Sequence, residues 1–284
     1  MESVIIDGIK TNYEVLGSGP PLLMFSPGGF DASLDKWRSL GVYAKVKFLD
    51  HLPQHFTCII FDKRETGNAG GRVERIQWSD YVAQGKGLLD HLGIEQAHLM
   101  GGCIGCSSVV AFAVRYPDIA RSMVLFWPAG GAKYRINTQL RFSQHLSFVH
   151  ENGLGKVVEL VNSHTKSFSG DPRGGPWTSV IRTDAAFAAS YAAMDVEKYK
   201  LLVAGMARGL FDRDSVPGLE PEDMLRMTTP ALVIPGNDPS HATSAGRYLQ
   251  ECIPNAEYWD VPVEQQTEAN TPARVLEFLK KVGA

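Results

Sequence analysis

The sequence predicts an α/β protein with a mostly parallel sheet, helices on both faces and one helical insertion. Three observations predict it. Continuous apolar runs, Pro21–Ser26 and Phe56–Phe61 among them, alternate with segments carrying a helical apolar face, as in βαβ units. A short apolar run at 97–102 passes through Gly101-x-Cys103-x-Gly105 into a helix. The alternation stops between Pro128 and about Thr229, then resumes at Pro230.

Taken in order, Ser3–Asp7 and Lys10–Leu16 read as two strands joined at Asp7-Gly8, a hairpin signal. Pro21–Ser26 is apolar throughout, as a strand buried on both faces should be. It opens into Ser26-Pro27-Gly28-Gly29-Phe30, a loop with little side-chain bulk. Residues 35–47 read as a helix, Phe56–Phe61 as the next strand, and 79–92 as a helix with Ser79 as N-cap and Gly93 as its stop. The helix after Cys103 ends at Tyr116, ahead of Pro117, and a strand follows at Ser122–Trp127. Within the insertion, helical runs are predicted at about 138–150, 154–164 and 184–210, with no clear strand. The last part repeats the earlier pattern: a strand at Pro230–Pro235, a helix at about 241–252, a strand at Glu257–Val261, and a helix from Thr271-Pro272. Residues 1–128 and 229–284 therefore form one core domain, and 129–228 an inserted helical cap. Ligands of parallel sheets sit at the carboxyl ends of the strands, so the Gly28-Gly29 loop, the loop at Asp62 and Cys103 share one edge.

Composition narrows the function classes. The chain has 284 residues, 44% of them hydrophobic, and a net charge of -3 with Lys and Arg scattered, so nucleic acid is not an expected partner. No apolar run approaches the ~18 residues of a membrane span. The amino terminus, Met-Glu-Ser-Val-Ile-Ile-Asp, lacks a basic region and a long apolar run, so no signal peptide is expected. Four cysteines (58, 103, 106, 252) make no disulfide framework. Cys103 and Cys106 have no second pair to complete a zinc site, and no metal or cofactor is expected. These features fit a cytoplasmic protein acting on a small molecule; a homodimer would be unsurprising.

Gly101-x-Cys103-x-Gly105 has the form of a nucleophile elbow, G-x-S-x-G, with Cys for Ser. Glycine tolerates the strained dihedrals of a sharp strand-to-helix turn and the close approach of neighbouring backbone. The turn lifts one side chain above a helix N-terminus, where free N–H groups favour negative charge, so a thiol there is pushed toward thiolate. Cys106, three residues into the helix, is expected to pack rather than react.

These features together resemble the α/β-hydrolase superfamily over nearly the whole chain outside the insertion. Four features carry the resemblance: the elbow between strand and helix; Ser26-Pro27-Gly28-Gly29, where the family has its oxyanion loop; Asp62-Lys-Arg-Glu-Thr-Gly-Asn-Ala-Gly70, like the Asp-x-x-Gly-x-Gly-x-Ser segment after the fourth strand; and Pro235-Gly236-Asn237-Asp238, like the loop of the triad acid. The resemblance implies an eight-stranded α/β-hydrolase sheet. It implies Cys103 as nucleophile, Asp238 as acid, and an oxyanion hole from the N–H groups of Ile104 and of Gly28 or Gly29.

The chain departs from the family in its base. The loop after the last strand, Val261–Asn270, carries Glu264, Gln265, Gln266 and Glu268 but no histidine. His241, three residues beyond Asp238, could serve instead; Glu264 could stand near the vacant place, or no residue could act as base. The other histidines lack a supporting motif. Phe30, Trp127, Phe142, Phe148 and Trp177 are candidate walls of an apolar pocket. The resulting expectation is a hydrolase cleaving an activated acyl bond (ester, thioester or lactone) of a small, largely apolar substrate through a Cys nucleophile. A lyase or isomerase of the same fold, or a non-catalytic binding protein, remains open beside it.

Overall fold

The computed structural model describes residues 1–216 and 219–283. Eight strands form one sheet in the order β1-β2-β4-β3-β5-β6-β7-β8. They are β1 (Glu2–Ile6), β2 (Ile9–Leu16), β3 (Pro21–Phe25), β4 (Thr57–Phe61), β5 (Ala97–Gly102), β6 (Ala120–Phe126), β7 (Ala231–Ile234) and β8 (Ala256–Tyr258). β1 and β2 pair antiparallel, as do β2 and β4; every later pairing is parallel. The apolar runs that mark β3, β4 and β5 are buried because helices cover both faces of the sheet. One core, on the side of the Gly105–Arg115 helix, holds Leu23, Phe25, Leu99, Val109 and Phe112. The other holds Met24, Trp37, Met100, Phe126 and Phe278.

Strand order places the site. The chain leaves β3 toward β4 on one side, while β5 pairs with β3 on the other, with Phe25 opposite Gly101. The sheet reverses its winding there, and the reversal opens a crevice at the carboxyl ends of the two strands. The loop at 26–30 and the turn at Cys103 emerge side by side at that crevice.

Between β6 and β7 the chain is helical: Ala132–Ser163, broken at Gly153 (φ 77°), then Thr178–Thr183, Ala185–Ala192, Val196–Leu210 and Pro221–Leu225. The expected helix at 184–210 is two helices. Asp184 and Asp195 each cap one, their carboxylates accepting from Phe187 N (2.9 Å) and Lys198 N (2.8 Å). The expected helix at 35–47 is also broken, because Leu40 is extended and Lys47 is left-handed (φ 53°). The Trp78–His91 helix starts before Ser79: Gln77 is its cap, with Asp80 accepting from Gln77 N at 2.7 Å. In place of a strand to Val261, β8 stops at Tyr258.

Candidate functional site

Cys103 stands where β5 ends, with φ at 55°. That left-handed conformation is strained for a residue with a Cβ. Backbone bonds hold it in place. Cys103 N donates to Phe126 O, and Ala129 N and Cys106 N donate to Cys103 O, all at 3.2 Å. The flanking glycines supply space, not torsion: a Cβ on Gly101 would lie 2.6 Å from Gly105 O, and one on Gly105 2.3 Å from Phe25 O. So the strain sits on the cysteine, and the glycines let β3 and the helix start close in on it.

The loop after β3 faces this turn. Gly28 has φ 118°, and a Cβ there would meet Asp31 O at 2.8 Å. With no side chain in the way, the Gly28 N–H reaches the Cys103 sulfur, as does the Ile104 N–H from the helix start.

His241 meets the same sulfur from a third direction. It precedes the Thr243–Cys252 helix in a tight loop: His241 N donates to Asp238 O (3.1 Å), Gly130 N to Ser240 O (3.0 Å), and Ala242 N to Gly130 O (3.2 Å). Its Nδ1 donates to Asp238, 2.9 Å from both Oδ1 and Oδ2. Asp238 Oδ1 also accepts from Ser240 N (2.7 Å) and His241 N (3.0 Å). Nε2 is buried without a hydrogen-bond partner among the described residues; the nearby Cys103 sulfur bears on its charge.

The titration behaviour follows from this geometry. Burial pushes the Cys103 thiol up, but the neighbouring His241 and the Gly28 and Ile104 N–H groups outweigh it, so the thiol lies below its ordinary 9.0. Burial pushes His241 down; Cys103 and Asp238 outweigh that and hold it at about 9. Burial likewise works against the Asp238 carboxylate, and its bonds to His241 and Ser240 keep it below the usual range. The other thiols go the opposite way. Burial lifts Cys58 to about 12, and it also raises Cys106 and Cys252. Cys106 is packed, its Sγ donating to Gly101 O at 3.1 Å.

A cavity of about 340 Å³ lies over Cys103. Gly28, Gly29, Phe30, Ile104 and His241 line it, with Tyr134, Phe168 and Phe211 from the helical insertion. Of the five aromatic residues named as candidate walls, only Phe30 lines it. Phe142 packs behind Phe30, ring centroids 5.5 Å apart. Trp177 is fully buried, its Nε1 donating to Arg72 O at 2.8 Å. Phe148 lies against the Arg173 guanidinium at 5.8 Å. Trp127 sits under the His241 ring (5.5 Å), because its positive φ of 51° turns the chain at the end of β6.

The loop after β8 supports that arrangement. Gln266 is fully buried; its Oε1 accepts from Trp127 Nε1 (2.7 Å), and its Nε2 donates to Pro235 O (2.9 Å) and Val261 O (3.1 Å). The segment without a histidine thus ties Trp127 to the loop carrying Asp238 and His241. Glu264 is exposed and does not line the cavity. His98 is buried in β5 against Ser122 Oγ (2.8 Å), and His145 is buried in the insertion against Tyr199 OH (2.6 Å). Among the described residues no group of three or more His, Cys, Asp or Glu side chains could hold a metal ion.

Sequence reasoning missed Lys63, Tyr81 and Arg141, which also line the cavity. Lys63 follows Asp62, whose carboxylate organises the loop by accepting from Leu34 N (2.9 Å) and Asn68 N (3.0 Å). No local signal marked Lys63, which stands in the charged run Asp62-Lys63-Arg64-Glu65.

Comparison with known proteins agrees with this architecture. A family model described as alpha/beta hydrolase fold matches residues 21–140. The 2-hydroxymuconate semialdehyde hydrolase of Pseudomonas sp. (strain CF600) is 31% identical over 132 residues, 45% of this chain and 43% of that protein. The chain thus spans less than half of that relative's length. The 2-(acetamidomethylene)succinate hydrolase of Mesorhizobium japonicum is 25% identical over 256 residues, 83% of this chain and 87% of that one. Among solved structures, the enol-lactonase from Burkholderia xenovorans LB400 superposes with a TM-score of 0.60 at 20% identity, covering 99% of this chain and 98% of that one.

Proposed function

The chain has the α/β-hydrolase fold, and on that premise we propose that it is a hydrolase cleaving an activated acyl bond (ester, thioester or lactone) through Cys103. One observation carries the reading. Of the four thiols, Cys103 alone lies below its ordinary range, and it alone faces a histidine across a cavity. Thiolate is the reactive form of cysteine.

In this reading the Cys103 sulfur attacks the acyl carbon. A C–S bond forms, and the carbonyl π pair moves to oxygen. The N–H groups of Gly28 and Ile104 receive that oxyanion, with Gly29 shaping the loop; one such donor is worth ~3 kcal/mol to a transition state. When the carbonyl reforms, the bond to the leaving group breaks, and the leaving group takes the proton on His241 Nε2. The now neutral His241 draws a proton from a water that attacks the thioester; the C–S bond breaks and Cys103 returns as thiolate. Asp238 holds Nδ1–H and favours the imidazolium, the role of the acid in such triads. The segment at 129–228 acts as the cap, its Tyr134, Phe168 and Phe211 excluding water. Trp127, Gln266 and Phe30 enter as supports and walls. The relatives named as hydrolases support the reaction type.

The reading requires a reduced thiol and so a reducing, cytoplasmic compartment. Among the described residues no helix is long and apolar enough to cross a membrane. The test is release of p-nitrophenol from short-chain esters by wild type and Cys103→Ala. The variant should lose nearly all turnover; equal rates would end the nucleophile assignment.

A further inference from the structure

Lys63 is a buried ammonium with no direct ion pair among the described residues; the buried Glu65 carboxylate acts on it only from a distance. It is 9% exposed. Its Nζ lies 4.9 Å from the Phe30 ring centroid and 4.5 Å from that of Tyr81, and all three residues line the cavity over Cys103. No carboxylate oxygen lies within 4.0 Å of Nζ, and no hydrogen bond uses it, among the described residues. The backbone around it is pinned: Lys63 N donates to Ala32 O (3.1 Å), and Thr66 N and Oγ1 donate to Lys63 O (3.0 and 2.6 Å). The aromatic pair holds the charge in place but supplies no negative group. An unpaired buried charge is costly, and burial accordingly pushes the Lys63 ammonium below the usual lysine range.

The rest of the cavity points the same way. Arg141, on the insertion, lines it and has no ion pair among the described residues. Asp31, the one carboxylate in the lining, is already paired with Lys36 at 2.8 Å. The His241 charge is met by Asp238 and by Cys103. Lys63 and Arg141 make no ion pair among the described residues and face an otherwise largely apolar space. Lys63, Trp78, Tyr81 and Ile104 also line a small recess at the back of the cavity. Trp78 Nε1 and Tyr81 OH are buried there without partners. Two unpartnered donors and an ammonium thus stand around one end of the space.

We propose that the cavity takes a small ligand bearing a carboxylate, which ion-pairs with Lys63 between Phe30 and Tyr81 while the rest of the ligand lies against the apolar wall over Cys103. This names the substrate class of the acyl-hydrolase reading and rests on it only for the word substrate; the carboxylate site stands or falls by binding.

The test is therefore made in Cys103→Ala, which lacks the nucleophile and leaves the ester controls intact. Butyrate and glutarate, with the neutral methyl butyrate and dimethyl glutarate as controls, are titrated calorimetrically. The carboxylates should bind at least roughly tenfold more tightly than their neutral esters. Lys63→Met should erase most of that preference, and Lys63→Arg, which keeps the charge, should retain it. Equal binding of acids and esters, or a preference untouched by Lys63→Met, overturns the proposal. Wild type hydrolysing neither p-nitrophenyl hydrogen glutarate nor p-nitrophenyl butyrate, with the binding preference intact, would sink the hydrolase reading and leave the carboxylate site standing.

Discussion

Replacing His241 with alanine should switch off the Cys103 thiolate near neutral pH. In the native chain the imidazole is held at about 9 against an ordinary 6.5. That displacement is roughly 3 kcal/mol of preference for the imidazolium. The ring is therefore charged throughout the neutral range, and the thiolate has its counter-ion there. Without the ring, only the Gly28 and Ile104 N–H groups oppose burial, and burial is the largest influence on this thiol. The thiol should return to its ordinary 9.0 or above. A thiol titrating there is roughly 1% ionised at neutral pH. A more basic thiolate is also a better nucleophile, which restores about half of the logarithmic loss. A net fall in the alkylation rate near neutral pH follows. The assay is iodoacetamide alkylation from about pH 5 to about pH 10, with Cys103 followed by peptide mass spectrometry. The wild-type profile should inflect below the ordinary thiol value and the His241→Ala profile at or above it. Superimposable profiles would refute the pairing of the two residues.

Two further outcomes follow from the same contacts. Asp238→Asn removes the charge that faces Nδ1 and leaves one acceptor oxygen where two stood at 2.9 Å. The His241 inflection should fall below about 9, and ester hydrolysis should drop roughly tenfold or more, while Cys103 alkylation suffers less than in His241→Ala; an unmoved inflection in an NMR titration of the ring would contradict this. Gln266→Ala leaves Trp127 Nε1 and Pro235 O without their partners. Thermal or urea unfolding should show a loss of about 1–3 kcal/mol, and the Cys103 profile should shift partway toward that of His241→Ala; a stability loss with no shift would reduce Gln266 to a packing residue.

Much of the architecture was legible because burial on both faces leaves a plain mark: β3, β4 and β5 are continuous apolar runs between turn residues. The tight strand-to-helix turn was legible because close approach admits only glycine at 101 and 105. That Asp238 and His241 share one tight loop was legible in Pro235-Gly236-Asn237-Asp238 and the three-residue spacing to His241. Trp127 was misplaced because a strand-end position does not reveal a left-handed turn, and that turn puts the ring beneath His241 instead of over the cavity. Breaks at Leu40 and Lys47 were hidden because the residues themselves permit a helix. Lys63 was silent for another reason: its meaning depends on Phe30 and Tyr81, distant in sequence, closing on it in space. Gln266 was read as one of several polar loop residues, since only the fold shows that it bridges Trp127 and Pro235.

The central claim is that the Cys103 sulfur becomes covalently acylated. Wild type mixed with p-nitrophenyl acetate and quenched in acid within the first turnover measures this directly by peptide mass spectrometry. An acetyl group on the Cys103 peptide, forming as fast as p-nitrophenol is released, is the expected result. Turnover with no acyl group on that peptide, or with the group on another residue, would contradict the account.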